Sequence, residues 1–200
     1  MTTSMGRSFA DFCIQYGVDG ERFRAVIKEA YGSGGTDSMI ARVERGDLPP
    51  EEFERWIAEH LSEGMETPLE AEGIRDRMFA GMGPDEAMIG AVARARAGGV
   101  RTGLVSNSWG VHENSYDRDR LAEIFDAIVI SGDVRMRKPD PEIYLHAAKA
   151  IGLRPEECVF VDDLAQNVDG AKAVGMEGIV HRSAEFTIPK LEELLGVPVS

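Results

Sequence analysis

Hydrophobic spacing divides the chain in two. From Phe9 to Phe79 apolar residues recur every three or four positions, and nothing in residues 9–80 alternates with the period of a strand. Phe9, Phe12, Cys13 and Tyr16 share one helical face, which Gly17 ends. Asp19 is placed to cap a second helix bearing Phe23, Val26, Ile27 and Ala30, closed by the GSGG loop at Gly32–Gly35. A short helix is expected around Met39–Arg45, and Pro49-Pro50 opens another with Phe53, Trp56, Ile57, His60 and Leu61 on one face. Pro68 is expected to begin one more, running toward Phe79.

The texture changes at Gly81-Met82-Gly83-Pro84. Pro84, with Asp85 and Glu86 in the first turn, starts a helix carrying Met88, Ala91, Val92 and Ala95. Strands are then expected at Val100–Val105, Ile128–Ser131, Val159–Val161 and Gly178–His181. The intervening helices carry Ile143, Ala147 and Ile151 behind Asp140-Pro141, and Val168, Ala171 and Val174 behind Asn167 as cap, with Gly175 as the stop; a last helix spans Ile188–Leu195. Strands alternating with helices of this length build βαβ units. The expected fold class is therefore α/β: a Rossmann-like parallel sheet flanked by helices in residues 83–200, with an all-helical cap in residues 1–82.

Three strand ends carry polar groups: Ser106-Asn107, Lys138 shortly after the second strand, and Asp162-Asp163. Right-handed crossovers in a parallel sheet bring all three to the carboxyl edge, where ligands of such sheets bind. Adjacent carboxylates repel, so one takes up a proton or a cation sits between them. Oxygen donors of this kind suit Mg²⁺, while a solvated strand-to-helix turn is the plain alternative. Ser106 and Asn107 offer hydroxyl, amide and backbone N–H groups to phosphoryl oxygens, and Lys138 offers charge. Singly, Ser106-Asn107 reads as a turn and Lys138, beside Arg135 and Arg137, as a solvated lysine. Jointly they are what phosphoryl transfer requires.

Composition narrows the partners. With 22 Lys and Arg against 35 Asp and Glu, the formal charge of −13 leaves no basic cluster for nucleic acid and disfavours anionic membrane surfaces. The segment MTTSMGRSF has no apolar signal core, and no run approaches a membrane span. Two cysteines, Cys13 and Cys158, read as thiols rather than a disulfide, which fits a cytoplasmic, reducing setting.

These motifs resemble the haloacid dehalogenase-like (HAD) hydrolases with a C1-type helical cap, and among them the phosphatase-like N-terminal domain of soluble epoxide hydrolases. LVSNS at 104–108, KPDPEIY at 138–144 and VFVDDLAQN at 159–167 match three of the family's four motifs. The resemblance implies a Mg²⁺-dependent phosphomonoester phosphatase acting on a small phosphorylated metabolite. It implies that Ser106 and Asn107 bind the phosphoryl group and that Lys138 balances charge. Asp163 is then the direct Mg²⁺ ligand, Asp162 binds through water, and Asn167 supports them.

The family's first motif, an apolar strand ending in Asp-x-Asp whose first Asp is the covalent nucleophile, has no match. Asp11 lies on a helical face, and Asp19-Gly20 follows CIQYGV, which continues a helix. The expectation is an N-terminally truncated enzyme with little or no activity and weak Mg²⁺ binding. The alternative is a non-catalytic homologue that binds or regulates. Either way the central first strand is missing, so its two neighbours keep unpaired backbone groups beside an apolar slot, and an open sheet edge favours a homodimer. Dehalogenation uses this fold without metal, which the Asp162-Asp163 pair argues against. Receiver domains carry an acidic pair, a hydroxyl and a Lys in another order and have no helical cap.

Overall fold

A computed structural model describes residues 5–32, 37–108 and 118–200. Among these, residues 5–84 with 108 form one compact unit, and 85–107 with 118–200 form another. The GSGG loop and the polar loop from Trp109 fall largely outside the described residues.

The first unit is helical throughout: α1 (Met5–Tyr16), α2 (Gly20–Tyr31), α3 (Met39–Glu44), α4 (Pro50–Leu61) and α5 (Ile74–Phe79). The Asp19 carboxylate accepts from the backbone N–H of Glu21 and Arg22 at 3.0 and 2.8 Å, and so satisfies two donors that the first turn leaves unpaired. Phe12, Phe53, Ile57, Leu61, Ile74 and Met78 are each at most 2% exposed and form one core. Phe9 adds ring contacts to Phe23 and Phe79 at its border, with centroids 5.1 and 5.5 Å away. Ser8 Oγ donates to the Met78 carbonyl at 2.7 Å and accepts from the Gly81 N–H at 3.1 Å, which ties α1 to the end of α5. The helix expected from Pro68 begins only at Ile74. Gly73 precedes it at φ 67°, a left-handed conformation that breaks any continuous helix.

The second unit is α/β. It comprises α6 (Glu86–Ala97), β1 (Gly103–Ser106), α7 (Arg118–Ile124), β2 (Ala127–Ile130), α8 (Ser131–Val134), α9 (Pro141–Ala150), β3 (Val159–Asp162), α10 (Ala165–Ala173), β4 (Glu177–Val180) and α11 (Ala184–Leu195). Asp85, not Pro84, leads into α6: its carboxylate accepts from the Met88 N–H at 3.0 Å. β1 starts three residues later than Val100 and includes Ser106, while β2 ends at Ile130 because Ser131 opens the unexpected one-turn α8. The last strand and helix both begin earlier than expected, at Glu177 and Ala184.

Both strand pairs among the described residues are parallel. Gly103 faces Ala127 and Ser106 faces Ile130 in one pair; Val159 faces Glu177 and Asp162 faces Val180 in the other. Alternation along the strands splits the apolar residues between two faces. Ile143, Tyr144 and Ala147 of α9 and Ala171 of α10 pack with Val105, Val129 and Phe160. Met88, Ala91 and Ala95 of α6 and Leu191 of α11 pack with Val159, Val161 and Ile179. No helix among the described residues is long and apolar enough to cross a membrane.

Candidate active site

The carboxyl ends of β1 and β3 meet through Lys138. Asn107, directly after β1, clamps the Lys138 backbone twice: Lys138 N donates to Asn107 Oδ1 at 2.8 Å, and Asn107 Nδ2 donates to the Lys138 carbonyl at 3.0 Å. That pairing fixes where the lysine stem starts. Its Nζ then donates to the Val105 carbonyl at 3.0 Å and to Asp162 Oδ2 at 2.7 Å. Lys138 is 9% exposed and Arg137 8%, so the solvated reading does not hold for these two, whereas Arg135 is exposed. The Phe160 ring centroid lies 5.8 Å from Nζ, close enough for its face to favour the cation.

Asp162 is saturated on its other oxygen as well. Oδ1 accepts from the Leu164 N–H and from Asn167 Nδ2, each at 2.9 Å. Burial pushes this carboxyl up, but the Lys138 charge, its hydrogen bond and the two N–H donors outweigh burial and hold it below the usual carboxylate range. The Lys138 ammonium thus offsets the charge of Asp162, the inner member of the acidic pair. Asp163 is exposed and makes no hydrogen bond or ion pair within the described residues.

Asn167 was expected as a helix cap. It lies instead inside the first turn of α10, because Leu164 takes the cap position. Its side chain turns back to Asp162, and its backbone carbonyl accepts from Tyr144 Oη at 2.7 Å. Asn167 Oδ1 is buried with no hydrogen-bond partner. Burial, with the nearby Asp162 charge, drives the Tyr144 hydroxyl far above its ordinary pKa, so it remains a donor. Tyr144 was missed at the sequence level because its place in KPDPEIY matches an ordinary apolar helix position.

Asn107, Lys138, Asp162 and Asn167 therefore form one hydrogen-bonded chain. Ser106 ends β1 in half-buried surroundings beside it, opposite Ile130. The profile of the haloacid dehalogenase-like hydrolases matches residues 3–175. The chain belongs to that family. It is 27% identical over 192 residues to bifunctional epoxide hydrolase 2 of Sus scrofa, covering 87% of this chain but only 34% of that protein. A phosphatase of Mycobacterium tuberculosis is 32% identical over 140 residues, 68% of this chain and 64% of its own. A HAD-family enzyme of Bacteroides thetaiotaomicron, solved with magnesium and inorganic phosphate, superposes with a TM-score of 0.59 at 21% identity, over 83% of this chain and 88% of its own.

Within this HAD hydrolase, a Mg²⁺ ion would find few uncommitted oxygens. Asp163 is one; the Asp162 oxygens already carry an ammonium and two N–H donors. Among the described residues no three His, Cys, Asp or Glu side chains cluster as a ligand set.

The site's rigidity depends on close packing behind it. A Cβ on Gly170 would stand 2.6 Å from the Pro139 carbonyl oxygen and 3.0 Å from both Pro139 Cβ and Tyr144 Oη. Pro139 directly follows Lys138, so this carbonyl belongs to the segment that positions Lys138. Gly170→Ala is expected to cost about 2 kcal/mol in urea denaturation, through overpacking of α10 on that segment.

Proposed function

We propose that this HAD hydrolase is of the phosphatase type, hydrolysing or binding the phosphate monoester of a small metabolite in a cytoplasmic setting. Ser106 and Asn107 offer N–H and O–H donors to the phosphoryl oxygens, with Lys138 as the charge behind them. Asp163 is the principal Mg²⁺ ligand, Asp162 acts through water, and Asn167 holds Asp162 in place. Residues 1–82 are the cap, where substrate selection would reside, and residues 83–200 are the core. The observation that carries this reading is the Lys138 ammonium held at 3.0 Å from Val105 O and 2.7 Å from Asp162, at the end of two strands. The phosphatase among its relatives and the magnesium and phosphate in the Bacteroides enzyme support it.

Charge sets how such a site works. Lys138 and Asp162 cancel each other, and Asp163 leaves one negative charge facing any phosphate. A phosphate dianion is therefore repelled unless a divalent cation joins it, and the two ligands must bind cooperatively. When bound, Mg²⁺ would supply the charge neutralisation that phosphoryl transfer needs. Turnover by the family's covalent route needs a carboxylate that attacks phosphorus. Asp162 is committed to Lys138, and Asp163 is assigned to the metal. We therefore expect binding with little turnover from these 200 residues, which keeps a second reading, a non-catalytic phosphate-binding homologue, in play.

Calorimetric titration with inorganic phosphate tests both. Affinity should rise at least roughly tenfold when Mg²⁺ is present, within the usual range of coupled ligands, and that Mg²⁺-dependent gain should vanish in Asp163→Ala. Hydrolysis of an aryl phosphate with Mg²⁺ should stay at background. Turnover abolished by Lys138→Ala would establish the enzyme and refute the binding-only reading.

A further inference from the structure

The last helix, α11, is apolar on two sides. Thr187 and Leu191 are buried, and Ala184, Ile188 and Leu195 pack into the α6 cluster. Phe186, Lys190 and Leu194 recur every four residues and form a second stripe, about 12 Å long, that faces solvent. Surface helices ordinarily give that side to polar residues. Phe186 and Leu194 are instead 37% and 47% exposed, and no other helix among the described residues carries two exposed large apolar side chains.

Charge is ordered along this stripe. The Lys190 ammonium lies 4.0 Å from the Phe186 ring centroid and the Arg182 guanidinium 5.5 Å from it, so both cations stand toward the start of the helix. Glu193 stands toward its end, exposed. Among the described residues none of these three forms an ion pair, although Lys190 and Glu193 are only one turn apart. The neighbouring acids are occupied. Glu192 Oε1 accepts from the Val199 and Ser200 N–H groups at 2.8 and 2.7 Å. Hydrogen bonds from its own N–H and from Ser183 hold the Glu185 carboxyl below the usual range. The stripe is thus positive in its first half and negative in its second, with one large apolar side chain in each half.

We infer that this stripe of α11 is a docking face for a second copy of the chain, with the two helices antiparallel. A two-fold axis near Lys190 sets Phe186 of each copy against Leu194 of the other and Lys190 of each against Glu193 of the other. Each contact occurs twice, because an isologous interface repeats every pair. Parallel pairing would set Lys190 on Lys190 and leave Glu193 facing Glu193. A foreign acidic partner would suit Arg182 and Lys190 but would face the Glu193 charge with its own. A second copy supplies both signs in the required order. One helix face falls short of the roughly 1,200–2,000 Å² of standard interfaces, so the dimer is weak and forms with concentration. It uses no sheet edge.

The inference stands apart from the phosphate reading and is tested without phosphate or Mg²⁺. In sedimentation equilibrium of the full chain from about 10 µM to about 1 mM, the range of a weak interface, the mean mass should rise from one chain toward two. Phe186→Glu should stay monomeric while keeping the wild-type circular dichroism. Lys190→Glu and Glu193→Lys each make the facing charges alike and should weaken self-association at least about tenfold. Mixed in equal amounts, these two variants should form a dimer of one chain of each, because opposite charges then meet at every position. A chain monomeric throughout this range would leave the face to a foreign partner and overturn the inference. A dimer indifferent to Phe186→Glu, or charge variants that stay apart when mixed, would overturn it as well.

Discussion

Lys138→Ala is expected to destabilise the α/β unit by about 3 kcal/mol at pH 7, the scale of stripping one partner from a buried ion pair. The side chains of Lys138 and Asp162 are 11% and 6% exposed and 2.7 Å apart, so solvent screens the pair little. Without the ammonium, Asp162 keeps two N–H donors but loses the charge that offset its burial. The pH dependence identifies the cause. In the wild type the Asp162 carboxyl lies below its unfolded value, so its contribution is present above about pH 4 and is lost as pH falls through the lower folded value. In the variant only the two N–H donors oppose burial, so the carboxyl moves up from its wild-type value. The penalty is then full at neutral pH and fades as falling pH protonates the buried acid. Urea denaturation at pH 7, 5 and 4 should show the gap between the two proteins closing toward pH 4. Lys138→Met, which keeps the stem over Phe160, should behave the same way. A gap that does not change with pH would assign the loss to packing instead.

That pair also marks where sequence reading stops. The elements with local signals were legible: Asp19 caps α2, Pro50 opens α4, Asp140-Pro141 leads into α9 and Gly175 follows α10. Where the deciding contact is distant, the reading slipped. Asn167 has the chemistry of a cap, but Asp162 lies within reach and takes its amide. Pro68 looks like a helix start, but the left-handed Gly73 sets the beginning of α5. At the site, strand order alone brought Asn107, Lys138 and the acids to one edge. Sequence could not say that Lys138 would close on Asp162 and leave Asp163 outside, since that depends on how two loops 24 residues apart approach each other. Nor could it reveal Tyr144, whose buried hydroxyl finds a partner only because α10 presents the Asn167 carbonyl to it.

In the helical unit, Arg75→Met is expected to cost about 3–4 kcal/mol, more than any other single change there, because it too leaves a buried charge alone. Arg75 Nε donates to Glu54 Oε1 at 3.0 Å, with side chains 3% and 11% exposed. The other carboxylate oxygen accepts from the Gly73 N–H at 3.4 Å, at the turn where α5 begins. Glu54 therefore joins α4 to the start of α5 by charge and by backbone, and removing the guanidinium leaves the carboxylate with only the longer bond. The pair itself need not be favourable, since desolvating two ions costs about as much as their attraction returns. The double variant Glu54→Leu/Arg75→Met should recover most of the loss, and a double-mutant cycle in urea should give a coupling of at least about 2 kcal/mol. If the double variant is as unstable as Arg75→Met, the loss lies in the arginine stem and its packing rather than in the charge. The α4–α5 junction would then depend on shape, and the Gly73 turn alone would have to set where α5 starts.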